Sequence, residues 1–227
     1  YLGFCFNLFS LPNDAGFSHE AVIYAEPGRT AGVYAVGDSP SLLAFLNFAT
    51  DEPPFHSNTD VDRQRQRTAE MFRHCGGISG RLVEAMQRAD DLFFDTVSQI
   101  HMPRWSSGRV ALIGDAAHAP SFLSGQGTSL ALVGAYVLAG ELATHTDPVD
   151  AFAAYERIAR PFMEANQALA LREGGSLLMP RTQEELDARN AALAAMMASG
   201  KAVAHAEHSS AAHNALNLPN YGHLVRE

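Results

Sequence analysis

The stretch Arg109-Val-Ala-Leu-Ile-Gly-Asp-Ala-Ala-His118 decides the fold class of this chain. Its four consecutive apolar residues predict a strand that is buried on both faces. The strand ends at Gly114 and Asp115, and ligands of open α/β sheets bind just beyond the carboxyl ends of strands. A glycine lets a ligand approach the backbone, and an aspartate accepts hydrogen bonds from ligand hydroxyl groups. The segment therefore predicts a ligand site.

A second glycine pair, Gly125 and Gly127, opens a predicted helix that runs from about Gln126 to Ala143 and is apolar almost all round. Such a helix is typical of the middle of a larger protein. The free N–H groups at a helix start attract electron-rich ligands. One short segment thus offers an acceptor for a polyol and a positive helix end for an anion, a combination that suits a nucleotide cofactor.

This segment resembles the second flavin motif of the group A flavin monooxygenases, the para-hydroxybenzoate hydroxylase (PHBH) superfamily. The family pattern is a strand, then Gly-Asp-Ala-Ala-His, a proline-containing loop, and Gly-x-Gly at the start of a helix. The matching residues here are Gly114–His118, Pro120-Ser121-Phe122 and Gly125-Gln126-Gly127. The chain is most similar to hydroxylases related to polyketide- and tetracycline-modifying enzymes. It departs from many relatives at Phe122 and Ser129, where they carry proline and asparagine.

The resemblance implies FAD as the cofactor. It implies that Asp115 accepts a hydrogen bond from a ribityl or ribose hydroxyl, and that the backbone N–H groups of Gly125 to Thr128 face the N1–C2=O edge of the flavin. Pro120 and its neighbours would line the isoalloxazine ring. The expected cofactor-binding residues are Gly114, Asp115, Ala116, Pro120, Gly125, Gln126, Gly127 and Thr128.

The reaction that the resemblance implies is reduction of FAD by NADPH or NADH, followed by transfer of a hydroxyl group from O₂ to an aromatic or polyketide-like substrate. FAD carries the oxygen chemistry, so no catalytic side chain is assigned. Substrate contacts are expected from the predicted strands, although an ordinary core role explains each candidate equally well. The candidates are Tyr24, Tyr34, Phe94 and Thr96.

The predicted fold class is α+β with an α/β portion, a fragment of the PHBH-type fold. Residues 1–102 are predicted to form a substrate-binding domain, with strands at Phe4–Phe9, Ala21–Ala25, Gly32–Val36, Leu42–Phe48 and Leu92–Ile100 in an antiparallel sheet, and with two helices. Residues 103–172 are expected to be the C-terminal part of the FAD-binding domain, and residues 173–227 a C-terminal helical segment. Pro161 is expected to kink or break its helix.

No Gly-x-Gly-x-x-Gly follows a strand anywhere in the chain, although the family carries this fingerprint at the ADP half of FAD. The chain also starts inside a predicted strand, without an initiator methionine. It therefore resembles the C-terminal portion of a hydroxylase. We expect its exposed strand edges and apolar surface to bind a separate N-terminal half or a second copy of the chain.

The composition excludes several classes of protein. The net charge of −9 argues against a nucleic-acid partner, and the basic cluster Arg63–Arg67 is expected to be a solvated helix face. The apolar N-terminus is too short for a membrane span and lacks the basic start of a signal peptide, so no membrane partner is expected. Two cysteines in unlike contexts indicate a reducing cytoplasm.

The other reactive side chains are expected to have no catalytic or metal-binding role. Ser129 lies inside a predicted helix, which a hydrolase nucleophile does not. A metal site is not expected, because His205, His208 and His213 lack further ligands. His118 is expected to be structural. Two alternatives stay open: a non-catalytic partner module that keeps the fold, and a flavin oxidoreductase that does not hydroxylate.

Overall fold

The computed structural model describes residues 1–53, 60–171, 178–199 and 211–224. The chain divides into two compact units. Unit 1 contains Tyr1–Val97 and Gly175–Gly200, and unit 2 contains Ser98–Gly174 and Lys201–Glu227. The units therefore differ from the predicted division into 1–102, 103–172 and 173–227, since part of the C-terminal segment belongs to unit 1.

Unit 1 contains a five-stranded antiparallel sheet in the order β2-β3-β4-β1-β5. The strands form where apolar and β-branched residues alternate between turn formers. The last strand is shorter than predicted. The bounds are β1 Phe4–Pro12, β2 Ala21–Glu26, β3 Arg29–Ala35, β4 Ser41–Ala49 and β5 Phe93–Thr96.

Two helices cover one face of this sheet, α1 (Val61–Phe72) and α2 (Ser79–Arg88). The Asp60 side chain caps α1 by accepting a hydrogen bond from the Arg63 N–H at 3.1 Å. The core between sheet and helices includes Cys5, Phe9, Leu46, Phe48, Phe72 and Met86, none more than 3% exposed.

Unit 2 begins with a two-stranded antiparallel ribbon, β6 (Ser106–Ser107) and β7 (Val110–Ala111). The prediction of a strand buried on both faces over residues 110–113 is wrong. Val110 is 66% exposed and Ile113 is 37% exposed. A strand with one short neighbour cannot bury both of its faces, and β7 pairs with β6 alone among the described residues.

The described part of unit 2 includes the single turn α3 (Asp115–His118) and the longer helices α4 (Gly127–Thr144) and α5 (Pro148–Leu169). Helices α4 and α5 pack against each other. Asp147 caps α5 by accepting a hydrogen bond from the Val149 N–H at 2.9 Å. The core of unit 2 includes Trp105, Ala117, Leu130, Val137, Tyr155, Ala159 and Met163.

Of the predicted kink or break at Pro161, the break does not occur: α5 continues to Leu169. Proline removes the hydrogen bond to the carbonyl four residues earlier. That carbonyl belongs to Arg157, and both Arg157 and Pro161 are exposed, so water can satisfy the freed group. The buried neighbours Phe162 and Met163 hold the helix on the core across the proline.

Helix α6 (Gln183–Ser199) belongs to unit 1. A modified capping box stabilises its start. The Thr182 hydroxyl accepts a hydrogen bond from the Glu185 N–H at 3.1 Å, but the Glu185 carboxylate reaches back to the N–H of Arg181, at 2.6 Å. The predicted break at Gly174-Gly175 lies outside the described residues.

Helix α4 is long and apolar enough to cross a membrane by length and composition, alone among the described helices. Core helices of other proteins pass the same test. Leu130, Gly134 and Val137 of α4 are buried in unit 2, whereas Leu132 is 67% exposed. The C-terminal tail docks on the same helix, since the Tyr221 hydroxyl donates to Glu141.

Candidate functional site

The turn after β7 places one acidic side chain at the surface. Gly114 has φ 60° and ψ −139°, a conformation that only glycine adopts readily. Its carbonyl accepts hydrogen bonds from the N–H groups of Ala117 and His118, at 3.0 and 2.9 Å. These bonds form the single turn α3, in which Ala117 and His118 are buried while Asp115 is exposed. The Asp115 carboxylate is thereby presented to solvent from a rigid turn.

The loop that follows is held by its own hydroxyl groups. Ser121 has a φ of 70°, which is strained for a residue other than glycine. Its hydroxyl accepts a hydrogen bond from the Leu123 N–H at 3.3 Å, and the Ser124 hydroxyl accepts one from the Gln126 N–H at 3.1 Å. Pro120 and Leu123 are buried beneath the loop. Strain of this kind is found at ligand-binding loops.

The start of α4 is open. Gly125 has a φ of 66°, and a Cβ atom placed on it would meet nothing within 4 Å. A Cβ on Gly127 would approach Pro120 to 4.0 Å only. Gln126 occupies the N-cap position but caps α4 with no side-chain hydrogen bond. The first N–H groups of a helix have no acceptor within it. Those of Gly127 and Thr128 therefore lie at an accessible, positively polarised helix end.

The eight predicted cofactor-binding residues thus lie on one continuous segment of unit 2, from Gly114 to Thr128. The segment offers a carboxylate acceptor, a proline-walled loop and a helix N-terminus without side chains in front of it. The carboxylate suits a polyol hydroxyl, and the helix end suits a group that becomes negatively charged. These residues fit the ribityl chain and ring edge of a flavin.

The sheet of unit 1 decides which predicted substrate residues share a face. Directly paired residues in antiparallel strands point to the same face. Cys5 lies in the core under the helices, and the Asn7 side chain accepts a hydrogen bond from Thr68 of α1 at 3.0 Å. Their partners in β5 are Thr96 and Phe94. Both predicted residues therefore point toward the helices, and each is 8% exposed.

Tyr24 and Tyr34 lie on opposite faces. Tyr24 pairs with the core residue Ala31, and a Cβ on Gly77 would come within 2.5 Å of its ring. Its hydroxyl donates to Glu26 at 2.8 Å. Tyr34 lies on the other face. Of the four predicted substrate residues, Tyr34 is therefore the one on the face turned away from α1 and α2. Phe94 and Thr96 are buried on the helix-covered face, whereas Tyr24 is half-buried on the edge strand β2.

We call the side of the sheet that is turned away from α1 and α2 the open face. Phe6, Tyr34, Phe45 and Phe93 point to it. It carries two aromatic pairs that the sequence analysis missed. The rings of Phe6 and Phe93 lie 5.6 Å apart, and those of Tyr34 and Phe45 lie 6.4 Å apart. A Cβ on Gly32 would come within 2.4 Å of the Phe45 ring, so Phe45 lies over that glycine. The alternation along β1 and β4 is the signal that could have identified this face.

The structure also locates Ser129 and the basic cluster Arg63–Arg67. Ser129 lies inside α4, as expected of a residue that is not a hydrolase nucleophile. Arg63 is exposed and pairs with Asp60, as expected of a solvated helix face, but Arg65 is half-buried and donates to the Ala89 carbonyl at 2.6 Å. No group of three potential metal ligands occurs among the described residues. His205 and His208 lie outside the described residues.

Comparison with known proteins places residues 58–170 in a family. The FAD binding domain family matches residues 58–170. A flavin-dependent monooxygenase from an unknown prokaryotic organism is 39% identical over 191 residues, which are 83% of this chain and 49% of that protein. The chain thus spans about half the length of the curated relatives that it matches.

Solved structures agree in fold. The crystal structure of tetracycline destructase Tet(55) is similar with a TM-score of 0.80 and 36% identity, over 97% of this chain and 55% of that one. Klebsiella pneumoniae HpxO, complexed with FAD and uric acid, has a TM-score of 0.64 and 20% identity, over 85% of this chain and 49% of its own. The second likeness shows the fold alone. The mixed α+β fold of the PHBH type is therefore confirmed.

Proposed function

The chain belongs, through residues 58–170, to the FAD binding domain family, and from this premise we propose that it forms the flavin-ring part of a monooxygenase. The proposed enzyme uses NADPH or NADH to hydroxylate an aromatic or polyketide-like substrate. The proposal rests on one observation: an exposed Asp115 and the uncapped N-terminus of α4 lie on the same segment of the chain. Relatives named flavin-dependent monooxygenase support it.

Different residues of this chain would have different roles toward the flavin. The Asp115 carboxylate accepts a hydrogen bond from a flavin side-chain hydroxyl and so positions the cofactor. The N–H groups of Gly127 and Thr128 stabilise negative charge at the ring edge, because preorganised donors are most effective where charge develops. Pro120 and Phe122 exclude water from one side of the ring. FAD itself, when bound, supplies the reaction with O₂.

The open face of unit 1 supports an aromatic substrate. Phe6, Phe45 and Phe93 provide flat apolar area, and Phe93 is 51% exposed. Aromatic rings pack well against other rings in offset or tilted arrangements. One similar structure is named as a tetracycline destructase. We therefore propose a polycyclic aromatic or polyketide-like substrate, with Tyr34 and Phe45 among its contacts.

Unit 2 also supports the proposed partner. The apolar side chains Val110, Phe122 and Leu132 are 66%, 42% and 67% exposed. Exposed apolar patches mark interaction sites. We propose that a polypeptide with the dinucleotide fingerprint, or a second copy of this chain, covers them. A cytoplasmic location remains part of the proposal.

The test is a chimera in which the N-terminal half of the 39%-identical monooxygenase precedes Tyr1. We expect the chimera to bind FAD, visible as flavin absorbance, and to oxidise NADPH or NADH. Asp115→Asn should weaken FAD binding by about 10- to 100-fold, since hydrogen bonds to charged groups contribute about 1.5–3 kcal/mol. The matched control is Asp150→Asn, another exposed aspartate in the first turn of a helix, which should bind FAD normally.

A folded chimera without flavin absorbance would contradict the proposal. So would equal FAD affinity in Asp115→Asn and Asp150→Asn. Product analysis under ¹⁸O₂ separates a hydroxylase from a flavin oxidoreductase, because only the hydroxylase places labelled oxygen in the product.

A further inference from the structure

The buried half of α3 has unusual surroundings. His118 is 2% exposed, and its ring centroid lies 4.9 Å from that of Trp105. Both ring nitrogens of His118 and the hydroxyl of Tyr155 lack a hydrogen-bond partner within the described part of the chain. A Cβ placed on Gly134 of α4 would lie 3.5 Å from both the His118 Nε2 and the Tyr155 hydroxyl. His118 therefore packs against Trp105 and α4 on one side. On the other side it lines a cavity of about 260 Å³ together with His101, Arg160 and Glu164.

The charges around His118 come from its own helix and from α5. Asp115 favours a protonated ring, whereas Arg160, which lies over the Trp105 ring at 4.6 Å, opposes it. Arg160 is held by Glu156 and Glu164, at 2.5 and 3.2 Å. Burial is the largest effect and, against the pull of Asp115, lowers the pKa of His118 below its ordinary value of 6.5.

A protonated imidazole has two N–H donors that need acceptors. Among the described residues no side chain pairs with the ring, and burial makes a charge on it costly. Protonation therefore favours movement of the ring toward water. Because His118 and Asp115 are the two ends of a single helical turn, that movement also displaces Asp115.

We propose that His118 is a positioning residue of the flavin site: its buried ring, packed against Trp105 and beside Gly134, holds α3 in place and keeps Asp115 where it receives the cofactor. We call this packing the wedge. The inference rests on the proposed function for the role of Asp115. The wedge itself is a property of this chain and can be tested without flavin.

The pH dependence follows from the direction of the shift. As pH falls, the unfolded chain takes up the histidine proton at about 6.5, before the folded chain does. The stability that the neutral ring contributes is therefore complete above pH 6.5 and is lost as pH falls toward the lowered pKa. In that interval the folding equilibrium constant drops by up to about tenfold per pH unit.

The test uses the fluorescence of Trp105, the one tryptophan of the chain. In the wild-type chain we expect a change in Trp105 emission as pH falls from 7.5 to 5, with a midpoint below 6.5 and far-UV circular dichroism retained. His118→Gln should abolish the transition, because glutamine is neutral at every pH. The control His74→Gln alters an exposed histidine of unit 1, and it should keep the transition.

Absence of the transition in the wild-type chain would overturn the proposal, and so would its persistence in His118→Gln. If His118→Gln does not fold, ¹⁵N-histidine NMR of the wild-type chain replaces it. One ring must then be neutral at pH 7 and titrate with the midpoint of the Trp105 signal. The lack of such a ring overturns the proposal.

FAD affinity is a second measurement, and it tests whether the packing of His118 affects the cofactor site. In the chimera, FAD affinity should fall by about tenfold between pH 7.5 and 5.5, whereas His118→Gln should bind FAD with little dependence on pH in that range. An equal pH dependence in both would overturn the positioning role. Failure of the chimera to bind FAD at any pH would instead contradict the proposed function and leave the Trp105 titration as the test of the wedge.

Discussion

The sheet of unit 1 and the ribbon of unit 2 both contain apolar strands, but they differ in what surrounds those strands. In β4, Leu46 and Phe48 are fully buried between neighbouring strands and two helices. In β7, Val110 has one neighbouring strand of two residues and is 66% exposed. The difference teaches that an apolar run reports only a tendency to be buried. The number of neighbouring elements decides whether burial occurs.

The largest expected effect is in the core of unit 1. Leu46→Ala should lower the free energy of unfolding by about 2–5 kcal/mol, because it removes a fully buried side chain and leaves a cavity. Urea unfolding followed by far-UV circular dichroism measures this. A loss below about 1 kcal/mol would show that the sheet core is much looser than its burial indicates.

A smaller effect is expected at the flavin turn of unit 2. Gly114→Ala should destabilise unit 2 by about 1–3 kcal/mol, because the positive φ is strained for alanine. The added Cβ would lie 3.5 Å from that of Ala131, so crowding contributes little. Urea unfolding followed by Trp105 fluorescence reports on this unit. Gly80→Ala of α2 is the matched control, since its Cβ meets nothing within 4 Å and helices favour alanine.

Gly80→Ala should leave the stability unchanged or slightly raised. If both alanine variants behaved alike, the turn at Gly114 would not have the conformation described here.

The smallest effect is expected on the exposed side of α4. Leu132→Ala should change the free energy of unfolding by less than about 0.5 kcal/mol, because the side chain is 67% exposed. Leu130→Ala, two residues earlier and fully buried, should cost several times more. Equal losses in the two variants at low protein concentration would mean that Leu132 is buried, against its exposure in unit 2.

Local features were predicted well because they depend on neighbours in sequence. The caps at Asp60, Asp147 and Thr182 are local in this sense, since each needs only a side-chain oxygen and an N–H two or three residues later. The segment from Gly114 to Thr128 was recognised for the same reason. Its glycines and its aspartate occur at a spacing that the family shares.

Features that depend on distant partners were predicted poorly. Phe94 and Thr96 alternate properly along β5, but periodicity does not say which face the helices cover. The pairing with Cys5 and Asn7 decides that face. The continuation of α5 through Pro161 likewise depends on the core beneath Phe162 and Met163.

The sequence by itself indicated most elements of this protein and the family that residues 58–170 match. Turn conformations, caps and cofactor motifs are encoded over a few neighbouring residues. Only the tertiary structure decided that Tyr34 lies on the open face, that Val110 is exposed and that His118 is wedged beside Trp105. Those properties arise from contacts between segments far apart in the chain, where burial and charge depend on elements that no local pattern specifies.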